Sequence, residues 1–362
     1  MQTFSNGFSL ILYILVYSLS AKALTLNIVD KNTNREKCIW NIVLAIILPT
    51  FVFAIRYKVG ADYLNYVGMY KELKDITFTK WFEDLDFFNN NPTGMFLIAK
   101  IARKFNSVNI FFGITAFLTA YLAVISLKKQ WSNMPIGYAY FIYLIFTFST
   151  GLNIIKQTIA ISIVFYSLKY VYEKKKLYFI LLVFIAFLFH STAFVVLPIY
   201  ILWDKEGKVA LGKKIVIVAA CFIGFSLMDN ILNAMGDHWA EYTETTGTKN
   251  LSFFISLAWL IIFYIFRNRL VKLDKRNDLL IMIYTIGVIF SVMGFWSIFG
   301  KRVANYFTVV QCLLMPQIPC TLEDKMDKIA MIALMIYVVG LFTYQCMIMG
   351  QTVIFPYSYK MW

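Results

Sequence analysis

Charge is scarce in this 362-residue chain: 15% of its residues are Asp, Glu, Lys or Arg, against about 25% in a soluble domain. Histidine is nearly missing, with His190 and His238 alone, so a histidine-rich metal site is excluded. Cysteine is sparse as well. Cys38, Cys221, Cys312, Cys320 and Cys346 form no CxxC pair and mostly lie in apolar runs, which indicates neither a zinc site nor a disulfide framework. No Ser/Pro-rich linker or long polar insertion interrupts the chain, so residues 1–362 read as a single integral domain. A basic n-region and a small-residue cleavage site are both lacking, so 7–27 is expected to be a retained helix rather than a signal peptide.

What is abundant is apolar. Hydrophobic residues make up 60% of the chain and aromatics 18%, and the mean hydropathy is +0.68. This excludes a soluble enzyme, a disordered protein and a small secreted domain. The runs are continuous rather than alternating, which excludes an outer-membrane barrel. The fold class expected is an all-α polytopic integral membrane protein with about 12 transmembrane or half-spanning helices. The expected spans are 7–27, 38–55, 107–127, 135–150, 153–172, 177–189, 191–203, 214–235, 251–266, 279–299, 303–320 and 328–348. Residues 93–104 are too short and too basic for a span, and a re-entrant or interfacial helix fits them better. The run 177–203 is long for one helix and short for two, so a hairpin of short helices with His190 near its tip is expected.

The net charge of +14 would suggest nucleic acid in a soluble protein. Here the cations crowd short loops, so a bilayer is the partner and nucleic acid is not. Lys128-Lys129, Lys174-Lys175-Lys176, Lys205, Lys208 and Lys213, and the cluster from Arg267 to Arg276 all fall on one side if 177–203 is a hairpin. The positive-inside rule makes that side cytoplasmic. The loop region 57–106, after the second span, is then extracytoplasmic and carries an amphipathic or re-entrant helix.

A few cations break the rule, all on the outer side: Arg56, Lys156, His190 in the hairpin, Lys301 and Arg302. Each alone is explained by snorkelling or by a nearby acid. Together they suggest an outward cationic cavity suited to a lipid-linked phosphate or pyrophosphate. Asp62 follows Arg56 across a glycine. It is placed either to accept a proton from a hydroxyl nucleophile or to pair with Arg56. His190 is either a general base or a hydrogen-bond partner for backbone opened by a helix break. Tyr57, Tyr63, Tyr66, Trp81, Trp239 and Trp296 fit an interfacial belt or sugar-stacking rings. Arg302 and Tyr306 are four apart and share a helix face. Asp84-Leu85-Asp86 has the letters of a metal motif, but it reads as a solvated acidic loop.

In order along the chain stand Arg56-x-x-x-Gly60-x-Asp62-x-x-x-Tyr66, Lys156-Gln157-x-x-Ala160, His190-x-Thr192-Ala193 and Arg302-x-x-x-Tyr306-Phe307. In these elements, across roughly residues 40–310, the chain resembles the EpsG family of bacterial exopolysaccharide proteins, within the Wzy-type polysaccharide polymerases. Two departures are visible. Lys156 stands where the family commonly has Arg, and Asn91-Pro92-Thr93-Gly94 lacks an acid often found before the Gly-aromatic element.

The resemblance implies a membrane glycosyltransferase in the bacterial cytoplasmic (inner) membrane, multi-pass, with its active site facing outside. It would polymerise undecaprenyl-pyrophosphate-linked repeat units into exopolysaccharide, capsule or O-antigen. Arg56, Lys156, Gln157, Arg302, Tyr66 and Tyr306 would bind pyrophosphate and sugar, and Asp62 or His190 would be the catalytic base. No metal and no cofactor is expected. Expected partners are the lipid-linked donor and acceptor, with a flippase and a chain-length regulator besides. The alternatives are a lipid-linked oligosaccharide flippase or transporter, which calls for internal repeat symmetry, and a membrane O-acyltransferase.

Overall fold

The computed structural model describes residues 1–26, 39–83, 92–130, 134–203, 251–295, 298–350 and 352–360, with single positions at 212 and 216. The described chain is all-α apart from a pair of two-residue strands. Among the described residues four helices are long and apolar enough to cross a membrane: Asn6–Leu26, Val108–Lys129, Asn277–Phe295 and Lys325–Ile348. A fifth arises if Leu251–Ile265 and Arg267–Leu273, bent by 69°, count as one span. The expected span 214–235 lies outside the described residues. The expected span 153–172 is an unbroken 18-residue helix, Ile155–Tyr172, outside those four, and the remaining expected spans exist as shorter or broken apolar segments.

The chain divides into two compact units. Unit 1 comprises Met1–Tyr166, Ile185–Ser191 and Lys328–Trp362, and unit 2 comprises Ser167–Phe184 and Thr192–Asp327. In unit 1, α1 (Asn6–Leu26), α2 (Ile39–Ile55) and α6 (Val108–Gln130) are the long helices, and α2 packs against both of the others. Gly113 of α6 faces Ala54 of α2, where a Cβ would come into ordinary contact with the Ala54 methyl at 3.4 Å. Between α2 and α6 lie α3 (Tyr63–Asp75), α4 (Phe78–Glu83) and α5 (Thr93–Arg103). α5 is the short amphipathic helix expected over 93–104. Its Phe96 stacks on Trp81 at 4.8 Å, and its Lys100 ammonium donates to the Lys74 and Ile76 carbonyls that end α3. Trp81 is therefore a buried core ring rather than part of an interfacial belt.

α7 (Ile136–Tyr143) runs into a π-helical turn at Leu144–Phe148 and a 3-10 turn at Thr150–Leu152 before α8 (Ile155–Tyr172) begins. Ser149, Thr150, Gly151 and Asn153 are poor helix formers. The hydroxyls bond back to backbone, Ser149 to the Leu144 carbonyl at 3.0 Å and Thr150 to the Phe146 carbonyl at 2.6 Å, competing with the regular ladder. The Tyr143 and Ser162 hydroxyls join α7 to α8 at 2.7 Å.

α9 (Lys176–Phe187) ends just before His190. A 3-10 turn at Ser191–Val196 and α10 (Ile199–Leu202) follow, so the second arm is not a regular α-helix; Pro198, which lacks an N–H, stands within it. The two arms run side by side. Phe179 stacks on Tyr200 at 5.7 Å and Tyr172 meets Trp203 edge-on at 5.5 Å, whereas a continuous helix would hold Phe179 and Tyr200 about 30 Å apart. This is the hairpin expected over 177–203.

In unit 2, α11 (Leu251–Ile265) and α12 (Arg267–Leu273) lead into α13 (Asn277–Val292), whose residues are mostly buried. The stretch 267–278, expected as a basic loop, is largely helical. Two of its arginines are paired, Arg267 with Asp278 at 2.6 Å and Arg276 with Asp274 at 2.5 Å. α14 (Ile298–Thr308) packs on α13, with Phe290 stacked on Phe307 at 5.6 Å and Gly287 against Phe307 and Thr308. The expected span 303–320 is broken after Thr308. α15 (Gln311–Leu314) is followed by 3-10 turns at Met315–Gln317 and Pro319–Thr321, because Pro316 and Pro319 lack the N–H a helix needs. A buried amide pair, Asn277 with Gln317 at 2.7 and 3.0 Å, ties this broken stretch to the start of α13.

α16 (Asp324–Phe342) continues as a π-helical turn, Thr343–Ile348. Ile329, Ile332 and Ile336, spaced three and four apart, are 60–68% exposed. A stripe of bare isoleucine is costly in water and at home against lipid. After α16 the chain returns as an extended strap. Strand β2 (Ser358–Tyr359) pairs antiparallel with β1 (Gln2–Thr3), and Tyr359 forms a bridge with Arg56. The start of α1, the end of α2 and the strap therefore meet at one end of unit 1.

Candidate active site

The segment from Arg56 to Tyr66 is a turn laid against the helix break between α7 and α8. Arg56 Nη1 donates to the Leu152 carbonyl at 2.5 Å and to the Val59 carbonyl at 3.1 Å. The Ala61 N–H donates to Asn153 Oδ1 at 2.7 Å. Gly60, at φ +97°, turns the chain, and a Cβ there would strike the Leu152 carbonyl and stand 2.9 Å from Asn153 Oδ1. Glycine is thus required twice, by its left-handed backbone and by the close approach.

The strap braces the same turn. Tyr57 N–H donates to the Ser358 carbonyl at 2.8 Å, Gly60 N–H to the Val353 carbonyl at 3.0 Å, and Lys360 N–H to the Ile55 carbonyl at 3.1 Å. The Tyr357 hydroxyl donates to the Val52 carbonyl of α2 at 2.6 Å.

Arg56 is 1% exposed. Its guanidinium carbon lies 4.2 Å from the Phe53 ring centroid, 4.6 Å from Phe112 and 5.7 Å from Tyr63. Each such contact contributes about 0.5–2 kcal/mol, and a hydrogen bond from a charged donor about 1.5–3 kcal/mol. Nε and Nη2 have no hydrogen-bond partner among the described residues. Asp62 does not occupy them. It stands half-buried at the start of α3, makes no side-chain cap, and holds no ion pair among the described residues. Of the two arrangements open in the sequence, the Arg56–Asp62 pair is not the one formed. The guanidinium is committed to backbone carbonyls instead.

Tyr66 is buried, and its hydroxyl accepts the Lys156 N–H at the start of α8 at 3.5 Å. Lys156 is half-buried and Gln157 fully buried beside it. Arg56, Gly60, Asp62, Tyr66, Lys156 and Gln157 therefore belong to one pair of packed segments in unit 1. Tyr63 is buried against Arg56, Tyr57 is half-buried, and Trp239 and Trp296 lie outside the described residues.

His190 also lies in unit 1, half-buried, where its own N–H bonds the Ala186 carbonyl at 3.0 Å. The carbonyl of Leu188, freed by the end of α9, accepts the Gly94 N–H at 2.8 Å, and Gly94 has no Cβ because the Phe189 ring occupies that space. The Gly94 element and the His190 element, far apart in sequence, are thus brought together. Arg302 and Tyr306 lie on α14 in unit 2. There the Thr192 hydroxyl donates to the buried Tyr306 hydroxyl at 3.4 Å.

Asn153, Tyr357 and the backbone of residues 353–360 escaped the sequence reading. The cluster Ser149-Thr150-Gly151-x-Asn153 was a usable helix-break signal. The strap carries no charge anomaly and offered none.

Apolar helices of spanning length with polar, charged turns at their ends define a multi-pass helical membrane protein. The EpsG family pattern matches residues 39–359, and the chain belongs to the EpsG family. EpsG-like proteins are Wzy-type polymerases. The match runs past residue 310 and takes in the strap that holds the Arg56 turn. No curated protein and no solved structure gives a significant match.

Proposed function

We propose that the protein is a glycosyltransferase that extends a polysaccharide outside the cytoplasmic membrane. Its donor is a glycan on undecaprenyl pyrophosphate, and its acceptor is a sugar hydroxyl of a second lipid-linked repeat unit. The observation that carries this reading is the docking of the 56–66 turn on the 150–157 break. That docking gathers two cations, a carboxylate without an ion-pair partner among the described residues, and the start of a long helix.

Lys156 and the N-terminal end of α8 neutralise charge on the departing diphosphate. Arg56 acts from beneath. It fixes the turn and contributes positive potential that no nearby carboxylate among the described residues cancels. Asp62 takes the proton of the acceptor hydroxyl as that oxygen bonds the anomeric carbon and the carbon–phosphate-oxygen bond breaks. Arg302 and Tyr306 are assigned to sugar or diphosphate contacts, and His190 is the second candidate base.

The test is reconstitution of the purified protein with lipid-linked repeat units, comparing wild type with Asp62→Asn, His190→Ala, Lys156→Ala and Arg302→Ala at equal protein level. Chain lengthening by wild type, lost in Asp62→Asn and in Lys156→Ala, supports the reading. Normal polymer from all four variants, or translocation or acylation without lengthening, rejects it.

A further inference from the structure

Beside the candidate active site, unit 1 contains a cavity of about 520 Å³ between the Arg56 turn, the α5–α6 connection and the strap. The size is that of a small-molecule site, about 300–1,000 Å³. Its walls include Tyr57, Lys58, Tyr63, Asn106, Asn109 and Lys360. The rings of Tyr57 and Tyr63 meet at 67° with centroids 6.1 Å apart, forming an aromatic corner.

Two cations converge on that corner. Lys58 Nζ is 5.6 Å from the Tyr57 ring centroid and Lys360 Nζ is 5.8 Å from it. Neither has an ion-pair partner among the described residues. Both lysines are exposed. Lys58 is held at φ +55°, a conformation uncommon for a side-chain-bearing residue, and Asn109 Nδ2 donates to the Lys360 carbonyl at 3.3 Å, which ties the strap's lysine to α6. Two ammonium groups close to one ring repel each other, and an anion between them offsets that repulsion. The aromatic corner, in turn, matches the apolar C–H face of a sugar ring.

We propose that this cavity is a glycan subsite that takes a sugar ring bearing a carboxylate. The ring lies on Tyr57 and Tyr63, the acid group lies between Lys58 and Lys360, and the Asn106 amide addresses ring hydroxyls. Tyr63 forms a wall of the cavity and also covers Arg56, so a sugar bound there adjoins the reacting end of the chain. The assignment rests on the polymerase reading and narrows it to polymers with an acidic unit.

The full-length protein in zwitterionic-lipid nanodiscs is titrated with trigalacturonate and with its methyl ester, which has the same rings without charge. Wild type is expected to bind the acid about tenfold or more tightly than the ester, and Lys58→Gln/Lys360→Gln is expected to lose that preference. Tyr57→Ala is expected to weaken both ligands. Equal binding of acid and ester, or a preference that survives the double substitution, overturns the proposal. So does a cavity that phosphatidylglycerol added to the nanodiscs fills in place of trigalacturonate, which identifies a lipid-headgroup site. Chain lengthening is scored separately. A protein that binds the acid but extends nothing defeats the polymerase reading alone, whereas one that extends chains with no acid preference defeats the subsite alone.

Discussion

The Arg56 turn of unit 1 and the Thr192–Tyr306 contact of unit 2 both carry polar residues singled out in the sequence, and they are held in different ways. Arg56 to Ala61 is fixed largely through backbone, by carbonyls and amides from residues 152–153 and 353–360. Thr192 and Tyr306 meet through a long hydroxyl contact of 3.4 Å between buried side chains. A turn clamped at several backbone atoms has one geometry, which suits charges that must be aimed. A long side-chain hydroxyl contact constrains its partners less tightly than backbone bonds of normal length. The difference predicts rigidity and intolerance to substitution at the first region, and tolerance of small changes at the second.

The sharpest way to break this contrast is Gly60→Ala. Left-handed strain and collision with the 152–153 backbone together should cost about 3 kcal/mol and abolish polymer. A wild-type melting temperature with normal polymer length would show that the turn is not clamped. Next comes Tyr357→Phe, which removes one strap-to-α2 hydrogen bond. A loss of about 1 kcal/mol is expected, with polymer yield reduced more than melting temperature because the turn loosens first; equal effects would make the strap a purely general stabiliser.

Tyr306→Phe removes the long contact with Thr192, and a stability loss of about 1 kcal/mol is expected. A fall in polymer yield of about tenfold at unchanged melting temperature would place the hydroxyl on the substrate. The smallest effect belongs to the α8–α9 loop. The hydrogen bond from Lys175 is the main reason the Glu173 carboxyl sits below its usual pKa. A depressed carboxylate stabilises above its unfolded pKa and ceases to do so as pH falls through the folded value. Glu173→Gln should therefore match wild type in acid and differ slightly at neutral pH in a thermal melt; a difference that grows on acidification would contradict the pairing.

The same contrast explains what was legible in advance. Long apolar runs announced α1, α6, α13 and α16, because a bilayer leaves an apolar helix few alternatives. Arg56 and Lys156 stood out because they break the positive-inside pattern, and Asp62 because it follows Arg56 across a glycine. Their assembly depends on Leu152 and Val353, whose carbonyls do the work while their side chains signal nothing. The break at Pro316 and Pro319 was written in the sequence and overridden by the hydropathy of 303–320. The strap was illegible for another reason. Pairing Gln2–Thr3 with Ser358–Tyr359 joins opposite ends of the chain, and no local pattern reports such a distant partner.

The strap also has a consequence in time. Residues 353–360 leave the ribosome on the order of tens of seconds after Arg56 does, and until they arrive Tyr57, Gly60 and Ile55 lack their partners. A half-made chain in the membrane therefore carries an unfinished turn. A chain stopped before residue 353 is therefore expected to lack the braced geometry of the 56–61 turn.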